Sequence, residues 1–187
     1  MSSFVRSIPE GDDKERLVCA DCGHVAYENP KVVVGSVVEH NGQVLLCRRA
    51  IEPRRGFWTL PAGYMELDET VEEAAGREAL EEAGARITIN GLLAVYSLSH
   101  ISQVQLIFRA TLADPEAYPL VMAGPESMEV GFFEWSEIPW SDLAFASVAW
   151  ALNAWRRAGP GVLGPPEGNP PEYRRGPAIP AGQDVVG

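Results

Sequence analysis

The chain has 187 residues, of which 46% are hydrophobic and 22% are charged, a composition typical of one soluble globular domain. Its formal net charge of −11 argues against sequence-independent nucleic-acid binding, because an acidic surface repels phosphate backbones. No apolar stretch approaches the ~20 residues that a membrane-spanning helix needs, and the N-terminus lacks an apolar signal core. We therefore expect a cytoplasmic protein with neither nucleic-acid nor membrane partners.

Taken along the chain, the residue patterns predict strands, a helix, more strands and a second helix. Residues 1–18 are polar and turn-rich and are expected to be loosely ordered. The Asn41-Gly42 pair between two β-branched runs is a strong hairpin signal. The expected strands are Lys31–Glu39, Gly42–Arg49, Ile87–Leu98, Val104–Leu112 and Val130–Trp135. This alternation predicts an α/β fold, a mixed sheet with helices on its faces.

Two helices are predicted, separated by the later strands. Thr70–Ala83 follows a loop at Pro53–Gly63, and Thr70 with Glu73 forms a capping-box pattern. Gly84 is the expected terminator of this helix. The second helix is predicted over Asp142–Ala158.

The composition changes at residue 159, because residues 159–187 contain seven glycines and seven prolines. Such a segment cannot sustain a helix and is expected to bury little apolar surface. We interpret it as an extended arm or a disordered tail. The predicted organisation is an N-terminal segment at residues 1–28, a main domain at 29–158 and this tail at 159–187.

Three carboxylates in the first predicted helix point to metal chemistry. Glu78, Glu81 and Glu82 have i, i+3, i+4 spacing, which puts them on one helix face. Both their mutual repulsion and the negative end of the helix dipole oppose this arrangement. A bound Mg²⁺ or Mn²⁺ would turn the repulsion into coordination. A solvated acidic helix face is the alternative that these residues alone leave open.

The segment containing these carboxylates resembles the Nudix signature G-x5-E-x7-R-E-U-x-E-E-x-G-U. The bulky aliphatic U positions are Ala79 and Ala85 here, a departure that concerns packing. The matching fixed positions are Gly63, Glu69, Arg77, Glu78, Glu81, Glu82 and Gly84. The similarity extends over about residues 17–158 and is closest to a branch that includes ADP-ribose and FAD pyrophosphatases.

The resemblance implies a Nudix α/β/α sandwich around a mixed β-sheet and a metal-dependent pyrophosphohydrolase. The expected substrate is a small nucleotide, a nucleoside diphosphate linked to another group such as ADP-ribose or FAD. NADH and nucleoside triphosphates stay open alternatives. The expected metal ligands are Gly63, through its carbonyl, and Glu78, Glu81 and Glu82, with Arg77 bracing a carboxylate such as Glu69.

The general base is expected either in the helix, at Glu78 or Glu81, or in a later loop, at Glu129 or Glu126. Glu129 is ranked before Glu126, because it directly precedes a strand that would hold it rigidly.

Candidate substrate-binding residues lie mostly before the helix. Phe57, Trp58, Tyr64 and Tyr96 have rings that could stack on an adenine or a flavin, although core packing is the favoured interpretation for Phe57 and Trp58. The candidate phosphate contacts are one or two of Arg48, Arg49, Arg54 and Arg55, with Arg48 and Arg54 selected first.

The Cys19-x2-Cys22 turn, followed by Gly23 and His24, resembles half of a zinc ribbon. A structural zinc needs four ligands, and no cysteine precedes Cys19. We favour a degenerate ribbon whose turn is kept for packing, with zinc binding by Cys19 and Cys22 as the alternative. The odd count of three cysteines argues against a disulfide framework, and Cys47 is expected in the core.

Two alternatives compete with the enzyme. One is a non-catalytic Nudix domain that senses a nucleotide, and the other is an interaction protein built on the cysteine turn and the tail. The intact set of signature carboxylates argues against both. A homodimer stays an open alternative for the assembly.

Overall fold

The computed structural model describes residues 3–117 and 120–173, which form ten strands and two α-helices. The helices are α1 (Val71–Ala83) and α2 (Ala146–Ala158). The strands are β1 (Phe4–Ser7), β2 (Arg16–Cys19), β3 (Val25–Ala26), β4 (Lys31–His40), β5 (Gln43–Arg49), β6 (Trp58–Thr59), β7 (Ala62–Tyr64), β8 (Ile87–Leu98), β9 (Gln103–Leu112) and β10 (Ser127–Phe133). No helix in the described ranges combines the length and apolar character of a membrane span. Residues 1–30 and 31–187 form two compact units, which are taken separately here.

The N-terminal unit is a small antiparallel sheet in the order β1-β2-β3. Its first strand pairs Phe4 with Cys19, and a tight turn follows, in which Gly23 adopts φ +74°. The expectation of a loosely ordered segment over residues 1–18 was therefore wrong. The two short strands satisfy each other's backbone groups, which lets even a polar sequence hold a regular structure.

The main unit contains a seven-stranded mixed sheet whose continuous path is β10-β5-β4-β9-β8. The central pair, β4 and β9, is parallel over Lys31–Glu39, whereas the other pairs are antiparallel. The hairpin between β4 and β5 turns at Asn41 and Gly42, whose φ values are +51° and +81°. The predicted turn, the mixed sheet and the α/β fold class are confirmed.

The β4–β5 hairpin opens into a fork away from its turn. The two strands pair only at Glu39–Val44 and His40–Gln43. Farther along, β6 pairs with β5 and β7 pairs with β4. Since β10 and β9 already occupy the outer sides of these strands, the predicted loop before α1 enters the fork. The fork places Gly63, the first signature residue, opposite Val34 in the middle of the sheet.

The helices cover opposite faces of the sheet. Val38 and Leu45 pack in one cluster with Ala79 of α1, whereas Val37 and Val44 pack in another with Leu152 of α2. Neighbouring strand residues point to opposite faces, so these alternating partners define the two sides. The expected α/β/α sandwich is confirmed.

Helix α1 begins and ends as predicted. Thr70 Oγ1 accepts a hydrogen bond from the Glu73 amide at 3.2 Å, and a Glu73 carboxylate oxygen accepts one from the Thr70 amide at 2.8 Å. Gly84 ends the helix in the left-handed region at φ +61°. Helix α2 starts at Ala146 rather than Asp142, because residues 140–142 form a short 3-10 turn after Pro139.

The described part of the Gly/Pro-rich segment forms an ordered arm along β8, an edge strand of the sheet. Glu167 exchanges backbone hydrogen bonds with Leu93 and Val95, and the Asn169 side chain bonds both backbone groups of Ser97. Leu163 packs against the α2 core cluster. The extended-arm interpretation therefore holds up to Tyr173, although the expectation of little apolar burial was wrong for Leu163. The rest of the predicted tail, residues 174–187, lies outside the described residues.

Candidate active site

Arg77 links the signature carboxylates on α1. Its Nε and Nη2 atoms donate a forked pair of hydrogen bonds to Glu69, at 3.0 and 2.8 Å. Its Nη1 atom donates to Glu78 at 2.8 Å and to Glu81 at 3.0 Å. The hydrogen bonds from Arg77, with one from the Glu66 amide, lower the pKa of Glu69 to about 2. The expected bracing of Glu69 by Arg77 is confirmed.

Gly63 makes room for the Glu78 carboxylate. A Cβ atom at Gly63 would collide with both carboxylate oxygens of Glu78, so any other residue would displace this side chain. The sequence suggested that glycine lets a backbone carbonyl approach a metal. The structure adds a second reason, because the Glu78 side chain from the helix packs directly against the backbone of Gly63.

Glu82 is the most deeply buried signature carboxylate, at 5% exposure. Its Oε2 atom accepts a hydrogen bond from the Ala62 amide at 3.0 Å. Burial is the main cause that raises the pKa of Glu82 to about 8. The Arg49 charge opposes this increase, which places Arg49 within electrostatic reach of the helix. Burial also raises the pKa of Glu78, against the lowering effect of Arg77.

The three carboxylates among the expected metal ligands differ in burial. Glu78 is 8% exposed, whereas the Glu81 side chain is 58% exposed and is held by Arg77. Within residues 3–117 and 120–173, no three acidic, histidine or cysteine side chains already form a cation-binding cluster. The donor set nevertheless fits a hard divalent cation: carboxylate oxygens converge on a strand with a side-chain-free Gly63, and two carboxylates lie in a largely buried, weakly solvated position.

The residues that precede Glu126, Met122–Gly124, clasp the C-terminus of α1, a contact that the sequence did not predict. The Met122 amide donates to Ala83 O at 2.8 Å, and the Gly124 amide donates to Glu82 O at 3.1 Å. A Cβ atom at Gly124 would overlap the Glu81 carbonyl oxygen. The one sequence feature that could have indicated this close contact is Gly124 itself, two residues before Glu126. Which segment it contacts depends on the tertiary fold.

The two loop candidates for a general base have different surroundings. Glu126 lies near enough to Glu78 and Glu82 for its charge to raise the pKa of both. Its backbone oxygen accepts a hydrogen bond from the Ala50 amide at 2.7 Å. Glu129 instead faces Arg48 across the β10–β5 pair, with 3.5 Å between carboxylate and guanidinium. The clasped loop therefore brings Glu126 to the signature helix.

The candidate substrate-binding residues are divided between core and surface. Trp58 packs edge-on against Phe133 at 4.8 Å, in keeping with the favoured core interpretation. Tyr96 is 1% exposed and packs edge-on against Trp150, so the expectation that it stacks on a ligand was wrong. Tyr64 remains 40% exposed, with the Lys31 ammonium 5.0 Å from its ring centroid.

The candidate arginines have local partners. Arg54 lies over the Phe57 ring at 5.3 Å, and Arg48 donates to Gly56 O at 2.9 Å. Arg49 donates to Pro53 O at 2.8 Å, and its charge also acts on Glu82. Cys47 is 1% exposed in the core, as expected.

Residues 29–154 match the model of the NUDIX domain family, which covers more than half of the chain. This chain belongs to the Nudix family. Its enzyme class is therefore that of a Nudix pyrophosphohydrolase. Residues 2–28, which contain the Cys19–Cys22 turn, also match the model of the Nudix N-terminal zinc-ribbon family.

Two relatives show how far the similarity extends. An ADP-ribose pyrophosphatase of Methanocaldococcus jannaschii is 33% identical over 119 residues, which span 60% of this chain and 67% of that protein. The NAD-capped RNA hydrolase NudC of Salmonella heidelberg is 26% identical over 66% of this chain. The match covers only 46% of the NudC relative, so this chain corresponds to about half of that protein.

A crystal structure of a NUDIX hydrolase from Nitrosomonas europaea is similar over most of this chain. It is 46% identical, with a TM-score of 0.79 over 89% of this chain and 93% of that chain. A Streptococcus suis ADP-ribose pyrophosphatase has a TM-score of 0.62 at 19% identity over 75% of this chain and all of that chain, which supports the fold alone.

Proposed function

We propose that this Nudix hydrolase cleaves the diphosphate bond of a nucleoside diphosphate linked to a second group, such as ADP-ribose or FAD. The relative named ADP-ribose pyrophosphatase supports this substrate class. The observation that carries the proposal is the hub at Arg77, which holds Glu69, Glu78 and Glu81 beside the strand of Gly63. The carboxylates of such a site repel an anionic substrate unless bound cations lie between them.

Glu78, Glu81 and Glu82, with the Gly63 carbonyl, would hold Mg²⁺ or Mn²⁺. When bound, such a cation supplies charge neutralisation for the diphosphate and lowers the pKa of a nearby water. Arg77 keeps the carboxylates of Glu78 and Glu81 oriented, so less reorganisation is needed when the substrate arrives.

Glu126 is the residue that we propose as general base, ahead of Glu129. Its loop is held on one side by the clasp at Gly124 and on the other by the hydrogen bond from Ala50. In the proposed reaction Glu126 accepts a proton from the attacking water while a new P–O bond forms. The bond between phosphorus and the bridging oxygen breaks, so ADP-ribose plus water yields AMP and ribose 5-phosphate.

The proposal is tested with ADP-ribose, FAD, NADH and a nucleoside triphosphate, each with Mg²⁺ or with EDTA. We expect Mg²⁺-dependent release of AMP from at least one dinucleotide-type substrate. The variant Glu82→Gln should lower kcat by at least ~100-fold, because it removes a metal-ligand charge. The matched control is Glu72→Gln, an exposed acidic residue in the first turn of the same helix, which should stay within ~2-fold of the parent.

Near-parental turnover in Glu82→Gln would refute its assignment to the metal site. Binding of these compounds without any hydrolysis would favour the nucleotide-sensing alternative. Equal rates with Mg²⁺ and EDTA would exclude the metal-dependent mechanism.

A further inference from the structure

A cavity of about 460 Å³ lies on the α2 side of the sheet. Its walls come from the ends of β4 and β9, a bulge in β8 and the last turn of α2. The residues on which the argument rests are Glu39, Asn90, Arg109, Thr111, Trp155 and Arg156.

This cavity is separate from the signature helix. Arg109 is the register partner of Val37, and Glu39 and its partner Thr111 lie two residues farther along β4 and β9. All four therefore share the sheet face on which Val37 packs against α2. Helix α1 covers the other face. Along β4, Glu39 is five residues from Val34, the partner of Gly63, which is about 17 Å of strand.

Two arginines give the cavity a positive character. Arg109 is half-buried and donates one hydrogen bond, at 3.0 Å, to Gly159 O, a neutral acceptor. The Arg156 guanidinium lies over the Trp135 ring at 5.3 Å. Within residues 3–117 and 120–173, neither arginine forms an ion pair. In a chain of net charge −11, two such neighbouring arginines leave several N–H donors available to an anion.

The other wall residues suit a polar ligand. The Glu39 carboxylate is engaged by the Gly42 amide at 2.8 Å, which reduces its repulsion of an incoming anion. A bulge between Ile89 and Gly91 sets Asn90 out of the regular pairing, at the cavity. Trp155 adds an aromatic wall beside the two guanidinium groups.

We propose that this cavity binds the phosphate group of a small molecule, at a second site distinct from the one where the diphosphate is cleaved. Arg109 and Arg156 would pair with the phosphate oxygens, and Asn90 and Thr111 would donate further hydrogen bonds. The negative end of the α2 dipole and the Glu39 carboxylate oppose an anion here, so binding requires that the two arginine charges outweigh them. The competing interpretation is that Arg109 serves only to cap the C-terminus of α2.

The test measures binding of inorganic phosphate, AMP and adenosine to the full chain. Binding is monitored in the presence of EDTA by the NMR shifts of backbone amides. Without divalent cations, the acidic signature helix repels phosphate, so binding there does not interfere. We expect phosphate and AMP to shift the amides of Gly42, Asn90 and Thr111, and adenosine to leave them unchanged. Tighter binding of AMP than of phosphate would assign a ring contact to Trp155, and equal binding would assign recognition of the phosphate alone.

The variant Arg156→Gln should weaken phosphate or AMP binding roughly five- to tenfold, because it removes a charge-assisted hydrogen bond. Arg109→Gln should act similarly and keeps a donor for Gly159. The matched control is Arg157→Gln, which removes an equal charge from the same turn but pairs with Glu167 instead of lining the cavity. It should stay within ~2-fold of the parent.

The proposal is overturned if Arg156→Gln binds as tightly as the parent, if Arg157→Gln weakens binding equally, or if the shifts centre on Ala62–Glu82. Equal shifts with adenosine would also overturn it. Because no step of this test uses hydrolysis, a failure of the proposed enzyme function would leave its outcome unaffected.

Discussion

At the candidate active site, the protein shifts the pKa values of single carboxyl groups away from their values in water. Glu82 is almost fully buried, and Glu69 is fully engaged by Arg77 and the Glu66 amide. The pKa of Glu82 in α1 is therefore about 8, whereas the pKa of Glu69, which precedes the helix, is about 2. Local rules broken in this way typically mark a functional site.

The raised pKa of Glu82 predicts how the stability of the metal-free protein depends on pH. The folded-state pKa of about 8 exceeds the ordinary value of 4.5, so the contribution of this group is complete below about pH 4.5. It is lost as the pH rises through about 8. The melting temperature in EDTA should therefore fall over this window, and Glu82→Gln should flatten the fall.

Thermal melts of both proteins from pH 4.5 to 9 check this prediction. The variant should melt higher than the parent at pH 8 and similarly near pH 4.5. Because a ligand carboxylate must be deprotonated, Mg²⁺ affinity should also rise with pH over the same window. A parental melting curve that rises toward pH 8 in EDTA would contradict the assignment.

The general base is tested by comparing Glu126→Gln with Glu129→Gln. We expect the Glu126 variant to lose ~10- to 100-fold in kcat with nearly unchanged Mg²⁺ affinity, because Glu126 lies close to the signature carboxylates. Glu129, paired with Arg48, should lose less. The measurement is kcat across a Mg²⁺ titration. If neither variant loses tenfold, the base is to be sought in Glu78 or Glu81.

At the scale of elements, the candidate site depends on two segments that meet α1. Strand β7 enters the fork between β4 and β5 and presents Gly63 to Glu78. The loop at Met122–Gly124 bonds the last carbonyls of the helix and carries Glu126 with it. The candidate catalytic groups are therefore held by β7, by α1 and by a loop from a distant part of the chain.

The clasp predicts a large effect of Gly124→Ala. The new Cβ would overlap the Glu81 carbonyl oxygen, so the loop must move away from the helix end. We expect kcat to fall by at least ~10-fold, because Glu126 loses its position. The control is Gly76→Ala in α1, whose Cβ would meet nothing within 4 Å.

The control variant should keep its kcat and gain ~0.5–1 kcal/mol in free energy of unfolding, as alanine is the better helix former. Kinetics and thermal melts of the two variants give both quantities. Unchanged kcat in a folded Gly124→Ala protein would show that the clasp has no role in catalysis.

At the scale of the whole molecule, the sheet of the main unit separates two faces, each covered by one helix. The signature helix lies on one face, and α2 with its arginine-lined cavity lies on the other. The arm up to Tyr173 follows the edge of β8, where Tyr173 contacts His100 and packs edge-on against Trp150. An edge strand covered in this way is protected from pairing with another chain.

The arm predicts a separation of stability from activity. A chain ending at Ala158 should retain metal-dependent kcat within ~3-fold, because the arm as described, residues 159–173, makes its hydrogen bonds to β8, β9, α2 and His100 and none to a signature residue. Its melting temperature should fall by roughly 5–10 °C, since Leu163 and the edge hydrogen bonds are lost. Light scattering should show more self-association through the uncovered β8.

A chain ending at Tyr173 is the matched control and should behave as the full chain. Complete loss of activity in a folded chain ending at Ala158 would contradict this prediction. It would indicate that the arm contributes to the site itself.

The sequence alone determined the features that depend on short-range rules. The capping box at Thr70 and the stop at Gly84 follow from backbone hydrogen bonds within one helix. The Asn41-Gly42 turn follows from the left-handed conformations that these residues tolerate. The seven fixed positions of the signature, which run from Gly63 to Gly84, likewise identified the signature helix and, through it, the family.

Only the tertiary structure decided which residues meet across the chain. Tyr96 has the chemistry of a ligand-stacking residue, but its burial against Trp150 follows from how α2 packs on the sheet. The contact of Gly124 with α1, the ordered arm at Leu163 and the cavity at Arg109 also join distant segments. Such contacts depend on the packing of whole elements, because side-chain periodicity shows which face is buried but not what covers it.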